Sequence, residues 1–123
     1  MTAAAWKHWY RRAFPAYWIF VFCATHFPGL EIGGGVPASD KVAHTAAFAL
    51  LAFLFWRFLE TFRRPLPPRA VWIMAAILTA YSALDEYTQQ FVGRGTDPVD
   101  WLCNVGGMGA TLVLLEWRRR TAP

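Results

Sequence analysis

Charge is what this chain is short of. Charged residues fill only 16% of its 123 positions, against about 25% in soluble domains, too few to clothe a small globule in water-facing groups. Cysteine is nearly absent as well: there are two, Cys23 and Cys103, and their separation matches no metal-binding or redox motif. A cysteine-based zinc site is thereby excluded. Both thiols lie in apolar runs, which favours buried free thiols over a Cys23–Cys103 disulfide. No low-complexity tract and no internal repeat is present. The basic start followed by an apolar run is not closed by a small-x-small cleavage site, so it reads as a retained first helix and not as a signal peptide.

What the chain does have is apolar residues, at 56% of the sequence. They fall in four segments, at about residues 13–28, 40–59, 70–91 and 98–117. Pro28-Gly29, Arg63-Arg64-Pro65, Gly93-Arg94-Gly95 and Arg118-Arg119-Arg120 close them in turn. A membrane-crossing helix needs about 20 residues, with about 17–25 tolerated, and the last three segments fit. The first fits if Arg11 and Arg12 snorkel at its start. A soluble four-helix bundle needs a polar stripe on every helix, and residues 42–56 and 70–84 have almost none. The expectation is a single domain over residues 1–123: all-α, an integral membrane four-helix bundle.

Topology follows from where the charges lie. All but two of the 12 Lys and Arg fall on one side of such a bundle: Lys7, Arg11, Arg12, Arg57, Arg63, Arg64, Arg69 and Arg118–Arg120. Lys41 and Arg94 fall on the other. The positive-inside rule then makes both termini and the middle loop cytoplasmic. Glu31, Asp40, Asp85, Glu86, Asp97 and Asp100 gather at the outer face, leaving Glu60 and Glu116 inside. Tryptophans agree, since they collect at membrane interfaces: Trp6, Trp9, Trp56, Trp72 and Trp117 come near the inner boundary and Trp101 near the outer one. The net charge of +4 is thus a topology signal, and nucleic acid is set aside as a partner. Small-xxx-small pairs at Ala43/Ala47, Ala76/Ala80 and Gly106/Ala110 are the places where helices can approach closely.

The outer end carries the chemistry. Asp40, Lys41 and His44 share one face of the second helix, with Ser39 placed to cap it. Asp85 aligns with Gln89, and Glu86 with Gln90, so one row can face the bundle and the other solvent. Two acids at a helix C-terminus oppose its dipole; Arg94, Lys41 or a metal ion is expected to compensate. After the Gly93-Arg94-Gly95 connector, Asp97 reads as an N-cap, Pro98 as the first helical residue and Asp100 as the third. Asn104 follows one turn on, and Gly106-Gly107 lets another helix come close there.

These blocks together resemble the VanZ-like integral membrane proteins: Asp40-Lys41-x-x-His44 with Phe48, then Asp85-Glu86-x-x-Gln89, Arg94, Asp100, Asn104 and Gly107. The resemblance spans roughly residues 40–107. It implies a multi-pass protein of the bacterial cytoplasmic membrane, tied to the cell envelope and to low-level teicoplanin resistance. On that basis the leading expectation is a ligand site lined by Asp40, Lys41, His44, Asp85, Glu86, Gln89, Arg94, Asp100 and Asn104. Its ligand is a glycopeptide or a lipid-linked cell-wall component, and its other partner is the bilayer. A second expectation is enzymatic, with a divalent cation held among Asp40, His44, Asp85, Glu86 and Asp100 and acting on a lipid phosphate. A third is structural, with Arg94–Asp and Asn–Gln bonds merely tying helices together. A transporter fits poorly, because no ionisable group lies near the midplane and four helices make a path only as an oligomer.

Overall fold

The computed structural model describes residues 2–29 and 37–121. Four helices carry the fold: α1 (Ala3–His26), α2 (Pro37–Glu60), α3 (Arg69–Gln89) and α4 (Pro98–Thr121). A single turn of 3-10 helix, Gln90–Val92, extends α3. Among the described residues there is no strand.

The helix ends follow local chemistry. α1 starts at Ala3, well before residue 13, because three alanines are strong helix formers and Thr2 caps them, its Oγ1 accepting from the Ala5 amide at 3.2 Å. The basic stretch with Lys7, Arg11 and Arg12 is therefore helical. α2 starts at Pro37, so Ser39 lies inside the first turn and is not the cap; proline suits a first turn, where its missing N–H has no helical partner anyway. α4 begins as its sequence demands. Asp97 Oδ1 accepts from the Val99 amide at 2.8 Å, with Pro98 first in the helix.

The helices run alternately up and down. Phe14 of α1 stacks on Phe55 of α2 with ring centres 4.8 Å apart, and Tyr17 donates to the Ala47 carbonyl at 3.2 Å. α1 and α3 run parallel, with Trp18 edge-on to Tyr81. α2 and α4 also run parallel and share the most extensive interface. Phe48, Leu51, Met74, Leu78, Met108 and Leu112 form the buried centre. Of the three small-residue pairs, only Ala43/Ala47 lies at a helix contact, lining the gap toward α1. Ala76, Ala80, Gly106 and Ala110 are exposed. Gly107 makes the close approach, against the Thr45 carbonyl of α2.

Polarity is distributed inside out. Ile19, Phe20, Ile73, Ile77, Leu84, Val113 and Leu114 face outward, while Ser82, Asp85, Glu86, Gln89 and Asn104 are buried. A soluble bundle does the reverse. Among the described residues two helices, at 38–60 and 98–121, are long and apolar enough to cross a membrane. The arginine-rich ends of the helices meet at the opposite pole from the acids. There Arg57 pairs with Glu60 at 2.8 Å and lies over the Trp6 ring, and Glu116 takes both Arg119 and Arg120. Both cysteines are free, but Cys23 is exposed on the outward apolar surface and Cys103 only half-buried, so neither is a core thiol.

Candidate functional site

The polar pole forms where α1 and α3 end and α2 and α4 begin. Two lobes make it up. In the first, Asp85, only 1% exposed, accepts from three side chains: Thr25 Oγ1 at 3.0 Å, Tyr81 Oη at 3.2 Å and Gln89 Nε2 at 3.2 Å. His26 Nδ1 stands 3.7 Å from it, and His26 Nε2 lies 2.8 Å from Thr88 Oγ1. Gln89 Nε2 also reaches Glu86 Oε1 at 3.4 Å, and Glu86 Oε2 accepts from the Asp97 amide at 3.3 Å.

Both acids of α3 therefore point into the bundle, and no row consisting of Glu86 and Gln90 faces solvent; only Gln90 is exposed. Their compensation differs from expectation too. Hydroxyls, an amide and a backbone N–H supply it, and neither Arg94 nor Lys41 does. Each hydrogen bond reduces the cost of burying a polar group that would otherwise lose its water.

The second lobe joins α2 to α4. Lys41 donates to both Asp97 and Asp100. His44 Nδ1 lies 3.0 Å from Asn104 Oδ1, so Asn104 pairs with histidine and not with a glutamine. His44 Nε2 stands 3.9 Å from Asp40 Oδ2 and 3.7 Å from Asp100 Oδ2. Ligand atoms of Asp40, His44 and Asp100 all fall within 4.8 Å of one another, a spacing that suits a metal ion. Asp85 and Glu86 do not join that group, which reduces the five-residue cation-binding set expected from sequence to three.

Arg94 departs furthest from expectation. No carboxylate of the described residues comes within 4.0 Å of it, and its Nη1 donates instead to the Ala24 carbonyl at 3.2 Å. Gly93, in the left-handed region at φ 77°, turns the chain there, as glycine does without strain. The carbonyls of the last turn of α1 lack helical donors and sit at the negative end of its dipole, so a cation is drawn to them. Thr25, His26, Tyr81 and Thr88 belong to the site and were not evident from sequence spacing; the one signal was a Thr-His pair closing an otherwise apolar run. Glu31 lies outside the described residues.

A cleft of about 70 Å³ opens between α1 and α2. Phe20, Val21, Ala24, Ala43 and Ala47 line its apolar length, and Thr25, Asp40, His44 and Arg94 stand at its polar end. Lys41, Asp85, Glu86, Gln89, Asp100 and Asn104 do not line it.

Lys41, hydrogen-bonded to Asp97, and the Val99 amide beside it hold the Asp97 carboxyl below its ordinary value of 3.8. A folded-state pKa below the unfolded one means stability that is present above the unfolded value and lost as pH falls through the folded one. Asp97→Ala is therefore expected to lower the melting temperature at neutral pH, with the gap to wild type closing below pH 3.8. Melting curves of both proteins on either side of that pH check it; a gap that persists undiminished in acid contradicts the pairing.

A family model described as VanZ/LLP1 matches residues 3–119. No curated protein and no solved structure matches the chain. The family match runs through all four helices, and the His44–Asn104 contact, the Lys41–Asp100 pair and the Gly107 approach bring the resembling sequence blocks together in space. The chain belongs to the VanZ/LLP1 family.

Proposed function

We propose that this is a four-helix integral membrane protein, with both termini on the cytoplasmic side of a bacterial cytoplasmic membrane, that binds a lipid-linked, phosphate-bearing envelope component at its outer end. The observation that carries this reading is the cleft between α1 and α2. Its apolar length opens sideways between two helices whose outward faces suit lipid, and its polar end offers the Arg94 guanidinium beside Asp40 and His44. Arginine is suited to phosphate because its planar fork presents several N–H donors, and one carbonyl occupies only part of that capacity here.

Size favours a lipid tail over a glycopeptide. Drug-sized ligands fill about 300–1,000 Å³, whereas about 70 Å³ takes a phosphate oxygen or two and a few methylenes. The charge distribution supports the topology: arginines collect at one pole and acids at the other, as the positive-inside rule requires. The role this binding plays in the envelope, including any resistance to teicoplanin, follows from family membership and forms part of the proposal.

Binding of a polyprenyl phosphate to the purified protein in detergent tests the reading. A hydrogen bond to a charged group contributes about 1.5–3 kcal/mol, so Arg94→Ala is expected to weaken binding about 10- to 100-fold without changing the melting temperature. Unaltered affinity in Arg94→Ala, or no measurable binding by the wild type, overturns it.

A further inference from the structure

The geometry points to a divalent transition-metal site made by Asp40, His44 and Asp100, facing the α1–α2 cleft. Two helices bring the donors together. Asp40 and His44 lie one turn apart on α2, and Asp100 comes from the first turn of α4. Their ligand atoms lie within 4.8 Å of one another.

His44 is the observation that separates this from a mere acidic patch. Its side chain is 10% exposed, and Asn104, fully buried, offers a carbonyl oxygen to its Nδ1 at 3.0 Å. That contact occupies Nδ1 and leaves Nε2 without a hydrogen-bond partner among the described residues. Nε2 stands between two carboxylates at 3.7 and 3.9 Å, too far for a hydrogen bond to either. The arrangement calls for a positive charge at Nε2, which a metal ion supplies as a proton would, and metal titration tells the two apart.

The spacing suits one. Donors at about 2.0–2.2 Å from a tetrahedral ion stand about 3.4 Å apart; the two distances from His44 are a few tenths of an ångström longer and the two carboxylates lie within 4.8 Å of each other, so side-chain rotation must draw all three together. Asn104 then has the position of an outer-shell partner that orients a metal-bound histidine; its own Nδ2 has no partner among the described residues. Lys41 holds Asp100 by the other carboxylate oxygen, so Oδ2 stays available. Asp40, Asp97 and Asp100 carry three negative charges against the two positive ones of Lys41 and Arg94, so the local balance still favours a cation. Imidazole in the donor set favours Zn²⁺ over Mg²⁺.

Asp40 and His44 line the polar end of the cleft with Arg94, so the remaining coordination positions face the phosphate of the ligand proposed above. Only that last assignment rests on the lipid-binding reading. The ion and the guanidinium then grip one phosphate from two sides.

Calorimetric titration of Zn²⁺ into the purified full-length protein in detergent, with no lipid phosphate added, tests the site. A single equivalent is expected per chain, with Asp40→Asn and His44→Gln each weakening it at least about 10-fold, and Asn104→Ala by about 10-fold or more through the outer shell. Asp40 makes no hydrogen bond to a described residue, so Asp40→Asn keeps the fold and remains informative if a His44 variant does not. Folded wild type that takes up no Zn²⁺, or an Asp40→Asn protein that binds it as wild type does, overturns the assignment. Lipid binding that persists in chelator while Zn²⁺ uptake is absent removes the metal and leaves the lipid reading standing. Zn²⁺ uptake with lipid binding insensitive to Arg94→Ala does the opposite.

Discussion

Gly107→Ala is expected to cost this protein about 3 kcal/mol or to prevent its accumulation in folded form. A Cβ built on Gly107 lies 2.1 Å from the Thr45 carbonyl oxygen and 3.0 Å from its carbonyl carbon. Both are backbone atoms of α2, so no side-chain rotation relieves the clash and the helices must part. Overpacking a tight contact costs about 1–3 kcal/mol even where side chains can yield, and here they cannot. The damage also reaches the site: Thr45 follows His44, and Gly107 lies one turn beyond Asn104, so separating α2 from α4 pulls apart the 3.0 Å contact between them. Gly106 is the internal control. No described residue comes within 4 Å of a Cβ there, and Gly106→Ala replaces a flexible residue in a helix by the best helix former, stabilising slightly. Thermal unfolding of both variants in detergent decides the matter. Equal melting temperatures mean that α2 and α4 are not packed as closely as the structure has them.

The contrast between these neighbouring glycines marks how far the sequence could be read. Gly106-Gly107 announced a close approach, but which of the two met the partner depends on the rotation of α4 against α2, and no local pattern encodes it. Asp97 lay at the other extreme. Capping is settled within four residues, so Asp-Pro-Val-Asp sufficed to place the helix start, and Asp97 caps it by accepting from the Val99 amide. The four apolar segments were legible for the same reason: composition and length decide them. Pairings across the chain were not. Lys41 meets Asp97 and Asp100 from 56 and 59 positions away, and Arg94 reaches Ala24 across 70. Sequence reasoning joined Arg94 to the acids because opposite charges attract, but at that pole the bare carbonyls ending α1 were the nearer acceptors. His26 was overlooked because its partner Thr88 lies 62 positions on.

The same distinction predicts what Asp85 does. Asp85→Leu is expected to destabilise the protein by about 2–5 kcal/mol, because it removes the acceptor shared by Thr25, Tyr81 and Gln89. Side-chain hydrogen bonds in membrane bundles contribute about 0.6–1.7 kcal/mol each, and three are lost together, with the Phe22 carbonyl left to Thr25 and Glu86 to Gln89 as second acceptors. Asp85→Asn keeps one carbonyl oxygen and is expected to lose less than half as much. Arg94→Ala and Asp40→Asn, by contrast, should melt like wild type, since Arg94 makes one bond to a carbonyl at the surface of the bundle and Asp40 makes none to a described residue. The polar pole is on this view two things: a tie between α1 and α3 centred on Asp85, and a binding face of Asp40, His44 and Arg94 at the cleft, with Asp100 behind His44. Loss of function in an Asp85 variant is then a consequence of lost folding and should scale with it, whereas loss in an Arg94 or Asp40 variant should occur at full stability. Unfolding curves and polyprenyl phosphate binding, measured on the same four proteins, separate the two. An Asp85→Leu protein that keeps its stability yet no longer binds would place Asp85 in the binding face and dissolve the division.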